Sequence, residues 1–340
     1  MRAETPAVWR ISEQSGCERG ARLLRLFRPG ARGCGASGTI GKRRRVSECP
    51  RRTGVASIMP DASADLSVPT VKASFSIPVA GVFLQASAQV PAGRTTLTAL
   101  LPIIQNLENA ITGRVIEESA ARGKPISCRA GCGSCCRQLV PLNIFEAEAL
   151  MDWIRTLPEE RQAALAERFH QALSALRDAG VIDEILKNEW VADEEPNREL
   201  AINYFHAGVA CPFLENESCS IHPIRPLICR EYLVVSPPEL CQDPSIYDVT
   251  GLQLPLKLSR VLHTFGQQIS GDPRGWIPLV FLLAWGKAGQ RPGDFVAGTG
   301  EEVLRKFLER AAEVANNAAK ESAAADAPGG LDEEIQGEIG

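Results

Sequence analysis

The stretch Cys128-Arg-Ala-Gly-Cys132-Gly-Ser-Cys135-Cys136 puts four thiols within nine residues. Thiolate is the sulfur form that binds metal, and short spacers let one loop wrap an ion and present several sulfurs to it. Gly131 and Gly133 allow the tight or positive-φ turns that such a loop needs. Adjacent Cys135 and Cys136 cannot easily reach the same vertex region, so one of them serves a second metal, bridges two metals or stays free. A second block reads Cys211-Pro-Phe-Leu-Glu-Asn-Glu-Ser-Cys219-Ser-Ile-His222-Pro-Ile-Arg225-Pro-Leu-Ile-Cys229-Arg230-Glu-Tyr232. Its turn-like centre, Glu215 to Ser218, predicts a hairpin that brings Cys211 and Cys219 together. Pro223 and Pro226 stiffen the return, Cys229 starts a helix, and Cys241 lies in a Pro-rich loop. About 75 residues of mostly helical pattern separate the blocks, so the two can close on each other in the fold. The candidate ligands are Cys128, Cys132, Cys135, Cys136, Cys211, Cys219, Cys229 and Cys241.

The chain has eleven cysteines in 340 residues. A disulfide framework belongs to short, secreted, loop-rich chains. This chain is long, its basic start leads into no apolar signal region, and its cysteines are grouped, so metal thiolates are the favoured reading. His222 serves equally as an imidazole ligand or as a cap on a backbone group. His170, His206 and His263 read as structural. A four-thiolate site with a divalent ion is formally dianionic. Arg225 and Arg230, and to a lesser degree Arg129 and Arg137, are placed to offset that charge and keep thiols deprotonated.

The net charge of −4 hides an asymmetry, because residues 1–58 hold thirteen Lys or Arg against four Glu. The acidic remainder lacks the basic face needed to neutralise phosphates, which argues against a role in gripping nucleic acid. No apolar run approaches the roughly 20 residues that span a bilayer. The longest candidate, Trp276 to Trp285, is broken by Pro278 and reads as a buried helix. A cytoplasmic, membrane-free protein is the expectation.

Residues 1–58 read as a disordered basic extension, a targeting segment or, the favoured reading, sequence upstream of a true start at Met59, and Cys17, Cys34 and Cys49 within it as unrelated to the site. Residues 59–92 form a linker or short strands, with Val71, Ala73, Phe75 and Ile77 alternating. The cysteine-cluster domain occupies 93–290. It opens with a helix carrying Leu97, Leu100, Leu101, Ile104, Leu107, Ile111 and Val115 on one side, stopped by Gly123 and Pro125. Asn143 and Glu146 form a capping box that opens another helix. Pro158 starts a helix that Gly180 ends, and a shorter one covers 198–206. The alternation Leu252, Leu254, Leu256, Leu258 suggests a strand, at an edge because Pro255 lacks a donor. Helical pieces follow near 259–269 and 276–286. A C-terminal helix lies within 291–324, at about 300–320, and residues 325–340 read as a disordered tail. The fold class is mostly α with a small irregular metal-binding region and a short β-hairpin, an α+β arrangement with few strands.

The CxxxCxxCC cluster at 128–136, the CPFL segment at 211–214 and the run from Cys219 through His222, Arg225 and Cys229 to Tyr232 together resemble the YkgJ-type cysteine-cluster family of bacterial zinc- or iron-chelating domains. The resemblance covers about residues 120–245. Relatives frequently have Tyr where this chain has His222, which lowers the case for that residue as a required ligand. Some members of the wider family resemble flagellin lysine N-methylases, so the resemblance implies methyl transfer as one alternative. A metal-stapled domain that binds an unidentified protein partner is another. The spacing of Cys128, Cys132 and Cys135 also matches the loop of radical S-adenosylmethionine enzymes, but Ser134 stands where those often carry an aromatic residue, and their repeated strand–helix pattern is missing. Four thiolates suit zinc and an iron–sulfur cluster such as 4Fe-4S alike, so the cofactor expectation is zinc or iron.

Overall fold

The computed structural model describes residues 55–57, 69–79, 82–187, 194–270, 275–287 and 297–325. The basic segment 1–54 with its three cysteines, the proposed start at Met59 and the tail from 326 lie outside the described residues.

A short strand β1 (Val55–Ser57) precedes the hairpin of β2 (Thr70–Val79) and β3 (Val82–Pro91). β2 and β3 pair antiparallel along their whole length, and β1 lies parallel on the other edge of β3. Alternation puts Ala73, Phe75, Ile77, Ala86, Ala88 and Val90 on one buried face. After β4 (Arg94–Thr96) and a 3-10 turn at Thr98–Leu100 comes α1 (Leu101–Ala121). Its buried stripe of Leu101, Ile104, Leu107, Ile111 and Val115 is the one its spacing predicts.

β5 (Pro141–Asn143) leads into α2 (Ile144–Thr156), followed by α3 (Glu159–Asp178), α4 (Val181–Lys187) and α5 (Glu194–His206). The capping box forms as expected. The Asn143 side chain accepts from the Phe145 N–H at 2.9 Å, and the Glu146 carboxylate accepts from the Asn143 N–H. A hairpin, β6 (Leu214–Glu215) with β7 (Ser218–Cys219), precedes the short α6 (Leu227–Glu231). The chain then runs through α7 (Leu258–Ser270), β8 (Trp276–Pro278), α8 (Leu282–Lys287), β9 (Ala297–Thr299) and α9 (Gly300–Ala325). β4 pairs with β9 and β5 with β8, both antiparallel. No helix among the described residues is long and apolar enough to cross a membrane.

Two expected elements take other forms. The alternating leucines from Leu252 to Leu258 make no strand. Among the described residues the pairing beside them is one isolated bridge, Val234 to Gly251, with the Leu252 N–H bonded to the Leu233 carbonyl at 2.7 Å, and Pro255 has no N–H to extend it. Their side chains still pack into the apolar core, from an irregular backbone. The expected helix at 276–286 begins instead as β8, then tightens into a 3-10 turn at Leu279–Phe281 before α8. Strand pairing stops at Pro278, and the Leu279 N–H bonds to the Val140 carbonyl at 2.9 Å.

Apolar packing falls into three clusters. The first joins the β1–β3 sheet to α1, α7 and α9. The second joins α2 and α3 to the segment around the β6–β7 hairpin, and the third gathers α4, α5 and the end of α3. Phe213, fully buried, is the anchor of the second cluster. Its ring meets Phe169 edge-on at 5.5 Å between centroids and Trp153 at 6.4 Å. Truncation by Phe213→Ala leaves a cavity there and is expected to cost about 3–5 kcal/mol. Denaturant unfolding of the variant measures that loss. A change below about 1 kcal/mol would show that the hairpin is not anchored through this ring.

Candidate metal centre

The two cysteine blocks meet. The Cys211 N–H bonds to the Cys136 carbonyl at 2.7 Å, across the sequence gap between the clusters. In the first block, Gly131 at φ 82° makes the expected left-handed turn. Gly133 has an ordinary φ and lies against the end of the Glu217 side chain. A Cβ there would lie 2.3 Å from Glu217 Oε2 and 3.0 Å from Leu214 Cδ1. Cys135 and Cys136 sit in a 3-10 turn, Ser134–Arg137. Arg137 closes this turn by donating to the Gly133 carbonyl at 3.0 Å and forking onto Glu217 at 2.7 and 3.0 Å.

In the second block the hairpin turn is Asn216–Glu217, at φ 50° and 55°. Two central residues with positive φ match the twist of a tight hairpin. Pairing of Leu214 with Cys219, and of the Leu214 N–H with the Cys211 carbonyl at 2.8 Å, brings Cys211 and Cys219 together as expected. Arg161 and Arg168 of α3 both bind Glu215, tying the hairpin to the helix. Cys229 lies within α6 rather than at its start. Cys241 is buried in a 3-10 turn, Pro238–Gln242, that packs on the Ser134–Arg137 turn. Cys128 is fixed from the same side. The Val234 N–H donates to its Sγ at 3.3 Å, and Ser127 bonds the Val234 and Ser236 carbonyls.

All eight candidate cysteines are free thiols, and each lies within electrostatic reach of others. Burial raises the thiols of Cys128, Cys219, Cys229 and Cys241 above the usual range, and pushes Cys211 up to about 12. The Cys136 thiol donates to Cys135, which keeps the proton on Cys136 and, helped by Arg225, holds Cys135 below the usual range. Cys135 is also the exposed member of the set. Arg225 favours the thiolates of Cys128, Cys135 and Cys219, and its Nε is buried without a hydrogen-bond partner among the described residues. Arg230 is mainly a strut. It donates to the Arg225 carbonyl at 3.0 Å, to Asn109 Oδ1 at 2.9 Å and to the Pro223 carbonyl.

Among the described residues, no group of three or more His, Cys, Asp or Glu side chains is drawn tightly enough to hold an ion as it stands. The donor set nevertheless fits zinc or iron chemically. It is all sulfur, reduced, crowded and faced by a guanidinium. Buried thiols that repel one another hold their protons, and a cation among them reverses that balance. His222 is exposed, with Arg225 and Arg230 beside it holding its pKa down, after burial. His206 meets Ser245 Oγ at 3.1 Å and Asp243 Oδ1 at 3.5 Å.

Sequence reading missed a buried carboxylate group behind the thiols. Glu146 Oε1 accepts from the Leu227 N–H at 2.7 Å, capping the helix that carries Cys229. Glu231 accepts from the N–H and hydroxyl of Ser259 at the start of α7. Glu108 accepts from the Thr112 hydroxyl at 2.8 Å and the Leu258 N–H at 3.4 Å. Burial, then the neighbouring Glu231, raises Glu108, and burial pushes Glu146 up to about 7. The capping box was the one signal for Glu146. Glu108 fell inside an apolar stripe, and nothing in its spacing distinguished it.

Residues 127–246 match the family model described as "CxxCxxCC: Putative zinc- or iron-chelating domain". No curated protein and no solved structure matches the chain.

Because Glu108 holds its proton more tightly folded than unfolded, its stabilising contribution declines as pH rises above its unfolded value near 4.5, and is lost once pH passes its raised folded value. Thr112, the Leu258 N–H and Arg230 oppose this shift, and Glu231 adds to it. Glu108→Gln keeps an acceptor for Leu258 and removes the ionisation. The variant is expected to gain stability relative to the parent between pH 6 and pH 9 in paired urea titrations. A difference that stays constant across that range would show that Glu108 does not titrate there.

Proposed function

We propose, from the premise that residues 127–246 form a zinc- or iron-chelating cysteine-cluster domain, that the bound metal staples the first cysteine block to the second and thereby completes the fold. The observation that carries this reading is the backbone bond from Cys211 to Cys136, with eight free thiols around it. The ligands in this reading are Cys128, Cys132, Cys135, Cys136, Cys211, Cys219, Cys229 and Cys241. Structural zinc contributes on the order of 10 kcal/mol to folding at neutral pH, far more than one hydrogen bond. The resident ion is zinc or iron, with an iron–sulfur cluster as the iron form, and the protein works in the cytoplasm.

Two measurements test the staple. Elemental analysis of protein purified without oxygen identifies the metal, and sulfur-to-iron absorption in the visible marks a cluster. Chelation should then raise amide hydrogen exchange most around 127–137 and 209–242, and least in the core of α1 and α9. Cys132→Ser should raise exchange around 127–137 without chelator. If either treatment removes the metal and leaves exchange in both blocks unchanged, the ion does not hold the fold together.

A further inference from the structure

The eight thiols are not one undivided pool. Cys128 is fastened to the 234–236 segment by the Val234 N–H and by Ser127, and that segment leads to the turn carrying Cys241. The Cys241 turn packs against the Ser134–Arg137 turn. Cys128, Cys132 and Cys241 are thus gathered on one side with Cys135, which also acts on Cys211, Cys219 and Cys229 and so stands at the boundary. On the other side, Cys136 shares its backbone bond with Cys211, and the hairpin holds Cys219 beside Cys211. The Phe213 and Ile221 N–H groups point at the sulfurs of Cys211 and Cys219. Cys229, whose helix is capped by Glu146, interacts with both of these thiols. Cys136 interacts with Cys211 and Cys219 as well as with its neighbour.

The boundary runs between two adjacent residues. In a 3-10 turn successive side chains leave the axis about 120° apart, yet the Cys135 and Cys136 sulfurs stay within hydrogen-bond reach, so the two sides meet at this backbone step. Arg225 stands between the two sides, acting on Cys128 and Cys135 of one and on Cys219 of the other. A cation there offsets the repulsion between two anionic all-thiolate sites.

We propose that the chain binds two metal ions in separate four-cysteine compartments that meet at the Cys135–Cys136 step: Cys128, Cys132, Cys135 and Cys241 take one ion, and Cys136, Cys211, Cys219 and Cys229 take the other. This assignment rests on the metal-binding reading above and adds to it the number of ions and the partner cysteines of each. Each ion closes its own part of the structure. The first links the 128–136 loop to the 238–242 turn, and the second links that loop to the hairpin and α6.

The test loads the full, reduced chain with zinc alone, removes loose metal by desalting and counts zinc per chain by elemental analysis. Cobalt(II) in place of zinc reports thiolate ligation by its sulfur-to-metal absorption. The parent is expected to hold two equivalents. Cys241→Ser and Cys229→Ser are each expected to hold one, with the cobalt–thiolate band cut about twofold. Cys132→Ser and Cys219→Ser carry the same expectation and replace either variant if it fails to fold. A parent that binds one equivalent, with variants from both sets binding none, means a single shared centre and overturns the partition while leaving metal binding intact. A parent that binds no metal overturns both readings.

Discussion

The hydrogen bond from Cys211 to Cys136 closes a loop of about 75 residues, and the thiol-rich half of the molecule depends on that closure. The entropy of closing a loop grows only slowly with its length, but it must still be offset. One backbone bond contributes about 1 kcal/mol net. Around it, Phe213 is buried against Phe169 and Trp153, and Glu215 and Glu217 are held by arginines of α3 and the 134–137 turn. These ion pairs are partly exposed and contribute little each, so among the contacts formed within the chain apolar burial is the one large enough to hold the closure.

The carboxylates behind the site solve a different problem. A five-residue helix such as α6 has too few internal bonds to stand alone, yet it carries Cys229. Glu146 caps its start, and Glu231 at its end caps α7 in turn. Placing three carboxylates and Arg230 where water is scarce is costly, and the cost is reduced by raised proton affinity and by the hydrogen bonds each group accepts. The network exchanges stability for a fixed orientation of the helix between the two cores.

Much of this was legible in the chain. The stripe of α1, the Asn143–Glu146 box, the helix limits at Pro158 and Gly180 and the 211–219 hairpin all follow from local chemistry, because each depends on residues within a few positions of one another. The need for two turns around Gly131 and Gly133 was also visible, although Gly133 keeps an ordinary φ and what lies against it is the Glu217 side chain, 84 residues on. That contact is tertiary and leaves no local trace. The leucine alternation at 252–258 misled for the same cause: period two fits a strand, but pairing with the 233–235 backbone ends at Leu252, and irregular chain beyond it buries the same side chains.

The two halves of the molecule also differ in how they can be stable. The sheet with α1, α7 and α9 encloses a large continuous apolar cluster, including Phe265 stacked on Phe307. The 127–137 and 211–242 segments are short turns, a hairpin and a five-residue helix that carry all eight candidate cysteines and form no core of their own. Their apolar contacts are borrowed from α2 and α3 on one side and from α1 on the other, through Phe213, Ile221 and Leu227. A region that borrows its core has low local stability by itself. The surrounding helices position the thiols, and the proposed ion would supply the crosslink that this region lacks.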